Sequence, residues 1–140
     1  MAAEGFKQLN EVSRLADDRA LLVAERLLKT GRAYVQFALD NPDLYRLMFG
    51  PLIPAEAEFE ELGEYGARTF DLIVQLVTEG INAQEFTKGD PLVLANSAWS
   101  LVHGVASLLI DKRFARTEGG ISEKHIAQVL SLVTEGLKIR

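Results

Sequence analysis

Residues Pro91–Ile110 read PLVLANSAWSLVHGVASLLI, twenty residues without one Asp, Glu, Lys or Arg. At helical spacing they divide into three stripes. Leu94, Ala98, Leu101, Val105 and Leu108 form one, and Leu92, Ala95, Trp99, Val102, Ala106 and Leu109 a second. Val93, Asn96, Ser100, His103, Ser107 and Ile110 form the third, which is polar but uncharged. A helix apolar nearly all round is a buried helix. Its length suits a membrane span, but the polar stripe and the charged neighbouring helices argue against one. Two burials remain: a helix wrapped by its own chain, or one covered on one side by its own chain and on the other by a second copy. The second fits better, because a chain of 140 residues has few other helices with which to cover three stripes.

Helical periodicity extends outward from this segment in both directions, and no stretch shows strand-like alternation between turn signals. Asp90-Pro91 opens the uncharged helix as a cap followed by a first-position proline, and the helix is expected to run to about Arg113. After Gly119-Gly120, Ser122 caps a last helix to about Lys138, with a seam of Ile126, Val129, Val133 and Leu137 and Leu130 beside it. Leu132 falls on another face. Upstream, a helix from about Ala55 to Asn82 carries glutamates at its start and a stripe of Phe59, Leu62, Gly66, Phe70, Ile73, Val77 and Ile81. Gly63, Gly66 and Gly80 weaken its continuity. Before it comes a short helix from Asp43 to about Phe49, with Asn41 as N-cap, closed by Gly50-Pro51. A long helix from about Asp18 to Leu39 has two seams, one through Leu21, Ala24, Leu28, Gly31, Val35 and Ala38, the other through Val23, Leu27, Thr30, Tyr34 and Phe37. Ala3 to Leu15 forms the first helix, with Phe6, Leu9 and Val12 in register.

Composition narrows the function. The chain is one domain by length, and roughly two thirds of its unfolded surface can be hidden. A net charge of −5 argues against a bare nucleic-acid binder, and the absence of cysteine excludes a disulfide scaffold and thiolate chemistry. No secretory signal opens the chain. His103 and His125 are the only histidines and have no metal-ligand spacing; His125 reads as a surface residue. Glu56 to Glu64 read as a solvated helix start favoured by the helix dipole. There is no Gly-x-Ser-x-Gly elbow and no Gly-rich phosphate loop. The chain is therefore expected to be no enzyme, and to hold no metal and no cofactor. The aromatic residues, with Met48, suit an apolar pocket between helices that contains a few polar groups.

Two motifs resemble the tetracycline-repressor (TetR) family of transcriptional regulators. Asn41-Pro42-Asp43-Leu44-Tyr45-Arg46-Leu47-Met48-Phe49 is similar to that family's short helix. Trp99-Ser100-Leu101-Val102-His103-Gly104 resembles the Trp-x-x-x-His-Gly signature of one C-terminal-domain subgroup, and Ala3-Glu4-Gly5-Phe6 resembles the helix joining the DNA-reading and regulatory parts. The resemblance implies an all-α regulatory domain over residues 1–140, with an intermolecular four-helix bundle built from the last two long helices of each chain. It implies a cytoplasmic homodimeric repressor that takes a small apolar effector. The effector would change the separation of two DNA-reading heads set roughly 34–36 Å apart. No segment of these 140 residues reads as the helix-turn-helix, so DNA contact is expected only through a domain that this chain lacks.

The residues expected to bind ligand are Tyr34, Phe37, Tyr45, Met48, Phe49, Phe70, Ile73, Trp99 and His103, as apolar walls with hydrogen bonds from Tyr45, Trp99 or His103. The expected dimer seam is Leu101, Val105, Leu108, Ile126, Val129, Val133 and Leu137. The competing reading is a dimerisation or protein-interaction module with no small-molecule ligand.

Overall fold

The computed structural model describes residues 2–49, 60–113 and 121–139. Six helices run through them: α1 (Ala2–Ala16), α2 (Val23–Asp40), α3 (Pro42–Phe49), α4 (Glu60–Asn82), α5 (Pro91–Ile110) and α6 (Glu123–Leu137). The described residues contain no strand, only an isolated antiparallel bridge from Phe86 to Lys138. Gly50-Pro51, Ala55, Glu56, Glu58, Phe59 and Gly119-Gly120 lie outside the described residues, as do the side chains of Glu60, Glu61, Leu62 and Tyr65.

Local chemistry sets most of the helix ends. Asp90 Oδ1 accepts the Leu92 N–H at 3.0 Å with Pro91 in the first turn, and Ser122 Oγ accepts the His125 N–H at 3.1 Å. Pro42 opens α3, where its missing N–H costs nothing. Asn41 does not cap α3 with its side chain as expected; it donates backward to the Phe37 carbonyl at 3.0 Å and closes α2 instead. α2 begins at Val23, not at Asp18. Asp18 Oδ1 accepts the Ala20 N–H at 3.0 Å and its carbonyl accepts the Leu21 N–H at 3.0 Å, so side-chain turn chemistry wins over the helical pattern. α4 runs unbroken through Gly63, Gly66 and Gly80. α5 stops at Ile110 rather than near Arg113, since Lys112 takes a φ of 55° and the Arg113 N–H turns back to the Leu108 carbonyl at 2.8 Å.

α1 lies against α4, α2 and α3, while α6 lies against α2 and α5. One core group gathers Leu9, Tyr34, Phe37, Ala38, Tyr45, Met48 and Ala106. A second joins Val23, Leu27, Leu72, Leu76, Phe86 and Leu137, and a third joins Val35, Val105 and Leu130. The Arg26 guanidinium ties three of the helices. It grips Asp17, just past α1, with two hydrogen bonds of 2.7 and 3.0 Å, and reaches Glu79 on α4 at 2.6 Å. The Asp17 carboxyl is held below its ordinary range, chiefly by the hydrogen bonds from Arg26.

The expected dimer seam is divided by the fold. Val105 is 3% exposed and Leu137 is also buried, both inside the chain's own core. Leu101, Ile126 and Val129 are half-buried against Val35, Val105 and Leu130, and Val133 packs with the second core group. Val105 and Leu137 are thus spent on folding the single chain, while Leu101, Ile126, Val129 and Val133 keep part of their surface open. Leu108 stands out at 42% exposure, with Leu92 and Val93 on the same helix and Leu132 of α6 at 64%. Helical spacing groups residues on a face, but it does not say which neighbour that face meets. By length and composition α5 could cross a membrane, yet it packs on α2, α4 and α6.

Candidate ligand-binding site

A cavity of about 370 Å³ opens among α1, α2, α3, α4 and α5. α1 contributes Phe6 and Leu9, α2 Tyr34, and α3 Phe49. α4 contributes Gly66, Thr69, Phe70 and Ile73, and α5 contributes Asn96 and Trp99. No lining residue carries a formal charge. The size falls within the range of small-molecule sites, roughly 300–1,000 Å³.

Aromatic rings stiffen one wall. Phe49 sits at its middle, edge-on to Phe6 with centroids 5.1 Å apart and tilted against Trp99 at 6.3 Å. Phe70 meets Trp99 edge-to-face at 6.4 Å. Such pairs contribute about 0.5–1.5 kcal/mol each beyond their area.

Behind this wall runs a chain of polar groups. The Trp99 Nε1–H donates to Tyr34 Oη at 3.2 Å, and Tyr34 Oη lies 3.1 Å from Tyr45 Oη. Tyr45 Oη lies 2.5 Å from His103 Nδ1, and His103 Nε2 lies 3.4 Å from Ser107 Oγ. Indole N–H can only donate. Two orders fit: Tyr34 donating to Tyr45, Tyr45 to Nδ1 and the Nε2–H to Ser107, or the reverse, with Ser107 donating to Nε2, the Nδ1–H to Tyr45 and Tyr45 to Tyr34. Either needs a neutral imidazole. Burial supplies one by pushing the His103 pKa below its ordinary value of 6.5. Burial also raises both phenols, and Tyr34 raises Tyr45 further, so each keeps its proton. The chain spends the polar atoms of Trp99 and Tyr34 internally and leaves their rings facing the cavity.

Residues 27–131 match the family described as "Tetracyclin repressor-like, C-terminal domain". The chain belongs to this family. A solved structure from Rhodococcus sp. RHA1, described as a protein with unknown function, is 26% identical; the match covers 99% of this chain and 70% of that one, with a TM-score of 0.85. A bacterial regulatory protein in the tetR family from Rhodococcus RHA1 is 18% identical, over 99% of this chain and 71% of that one, with a TM-score of 0.77. At that identity the second likeness speaks for the fold. No curated protein is significantly similar to the chain. In the TetR C-terminal domain seen here, the two sequence motifs prove to be parts of one site. Tyr45 and Phe49 of the first touch His103 of the second, and Phe49 also touches Trp99.

Among the expected ligand residues, Tyr34, Phe49, Phe70, Ile73 and Trp99 line the cavity. Tyr45 and His103 stand behind it in the polar chain. Phe37 and Met48 do not reach the cavity; both are buried in the core group beneath it. Sequence reasoning missed Phe6, Leu9, Gly66, Thr69 and Asn96 as cavity walls. Phe6, Leu9 and Gly66 did stand out as apolar-stripe positions. Their place beside α3 and α5 depends on the tertiary packing of α1 and α4, which no local pattern encodes. His125 is exposed, as expected of a first-turn surface residue.

Proposed function

We propose that this chain is the effector-sensing and dimerising part of a cytoplasmic TetR-family transcriptional repressor. The observation that carries the reading is the uncharged cavity of about 370 Å³, walled by aromatic rings and by α1. A ligand there touches Phe6 and Leu9 directly. It would therefore favour one setting of α1, the helix that the family resemblance places next to a DNA-reading unit. A ligand shifts an equilibrium only through its different affinity for the two states, and contact with the moving element is how such a difference arises. In this reading DNA is gripped by a helix-turn-helix unit and not by residues 1–140. The dimer would form on the outward faces of α5 and α6.

Trp99 is the chain's only tryptophan and stands on the cavity wall, so its emission reports occupancy. The test titrates a neutral apolar fluorophore, N-phenyl-1-naphthylamine, against the protein. The expected result is saturable energy transfer from Trp99 at one probe per chain. Gly66→Leu should abolish it while leaving the circular dichroism unchanged, because a side chain built there projects into the cavity near Phe6. Absence of saturable binding would overturn the effector reading and leave a dimerisation module without a ligand.

A further inference from the structure

The polar atoms on the cavity wall are unevenly committed. The Trp99 Nε1–H is spent on Tyr34, whose Oη also meets Tyr45, and Thr69 is buried and engaged as well. Asn96 of α5 is different. It is the one exposed residue among those lining the cavity, so it stands at the mouth. Its Nδ2 donates to the Leu92 carbonyl at 3.0 Å, and because a carbonyl only accepts, that bond fixes which end of the amide is nitrogen. A side-chain amide has two N–H donors and an oxygen that accepts twice. One N–H and the whole of Oδ1 are therefore left for a ligand. Trp99, three residues on, is its neighbour on the helix surface. With Phe6, Tyr34, Phe49 and Phe70 it makes the wall mainly one of aromatic rings.

The geometry points to an effector that is a flat aromatic molecule with one uncharged hydrogen-bonding head: its rings lie among Phe6, Phe49, Phe70 and Trp99, and Asn96 reads the head at the mouth. This inference rests on the effector reading above and names the chemical class, with Asn96 as the residue that sets specificity. An aromatic guest continues the edge-to-face and tilted packing that the wall already shows, a gain that a saturated ring of similar outline lacks. Suitable heads are a phenolic hydroxyl or a carboxamide, each able to donate to Oδ1 and to accept from the open N–H. A carboxylate or ammonium head fits worse. No lining residue is charged, so an ion there gives up water and meets no counter-charge.

The test uses four probes on one two-ring skeleton: 2-naphthol, naphthalene, 2-naphthoate and the saturated 2-decalol. Each displaces the naphthyl fluorophore, excited directly, at pH 7.5. The expected order is 2-naphthol tightest, naphthalene and 2-decalol each weaker by about three- to tenfold, and 2-naphthoate weakest. Asn96→Ala should bring 2-naphthol down to the naphthalene affinity and leave naphthalene unchanged. Ser100→Ala, exposed on the same helix but outside the cavity wall, should keep the parent's preference. Both variants place a better helix former at an exposed position and should fold as the parent does. Equal binding of 2-naphthol and naphthalene by the parent would overturn the inference. So would 2-naphthoate or 2-decalol competing as well as 2-naphthol, a preference for 2-naphthol that persists in Asn96→Ala, or its loss in Ser100→Ala. In each of these cases the fluorophore still binds, and the effector reading survives. If the fluorophore itself fails to bind the parent, both fall together.

Discussion

A methyl group added at Gly80 would run into the ring of Phe86, which folds back over the end of α4 and is fully buried. Gly66 differs, since a Cβ there meets Phe6 only at an ordinary 3.8 Å. The same substitution should then act with opposite signs. Gly80→Ala should cost about 1–3 kcal/mol through overpacking, whereas Gly66→Ala should add up to about 1 kcal/mol through helix propensity. Urea unfolding of the two variants measures both. Acid sensitivity is also a matter of single residues. Burial lowers the His103 pKa, so the folded state binds fewer protons than the unfolded chain once pH drops below about 6.5, and stability falls from there through the lowered folded value. Asp17 acts in a lower window. Its carboxyl is depressed by Arg26, so its contribution is intact above about 3.8 and is lost as pH falls through the folded value. The expected acid limb has two stages. His103→Gln should flatten the upper one and Asp17→Asn the lower, as read from unfolding free energy against pH.

Between elements, Arg26 of α2 joins Glu79 of α4 to Asp17, just past α1. Its guanidinium and the Asp17 carboxylate are both nearly buried. Arg26→Ala strips Asp17 of its bidentate partner and should cost roughly 3–5 kcal/mol, read by chemical unfolding. α5 and α6 carry the other element-scale expectation. Leu108 and Leu132 point outward, and a Cβ at Gly104 or Gly136 would meet nothing within 4 Å. Leu132→Glu and Leu108→Glu should convert a two-chain mass to a one-chain mass in equilibrium sedimentation while the helices persist. Val133→Glu should instead destabilise the single chain, because Val133 is partly buried against the core group that holds Leu27, Leu72, Leu76 and Leu137. Boundaries were legible where capping chemistry is local, as at Asp90-Pro91, Pro42 and Ser122. They were not legible at Asp18, where a turn competes with a helical seam of equal quality. The seam on α6 was seen as a seam, but its destination depends on the approach of α2 and α5, which the spacing of Ile126, Val129 and Val133 does not contain.

For the molecule as a whole, the six-helix architecture was readable from punctuation and period, and so was the aromatic set around Trp99. What could not be read was that α1, the least hydrophobic of the candidate walls, closes the cavity. An effector held there should protect the entire fold. At a hundred times its dissociation constant a ligand adds about 2.7 kcal/mol to unfolding, so the melting temperature should climb with the naphthyl probe in the parent and stay flat in Gly66→Leu. The chain of hydroxyls behind the cavity makes effector and hydrogen ion reciprocal ligands. Trp99 forms the wall and donates to Tyr34, which shares its protons with Tyr45 and His103. An imidazolium cannot take the Tyr45 hydrogen; on protonation Nδ1–H donates to Tyr45, Tyr45 turns its hydrogen to Tyr34, and Tyr34 still accepts from the indole. Effector affinity should therefore change with pH only as far as that reordering shifts Tyr34 and Trp99, which titration of the naphthyl probe above and below the neutral range measures. Whatever factor acid takes from binding, the bound effector must return as the same factor in reluctance of His103 to accept a proton.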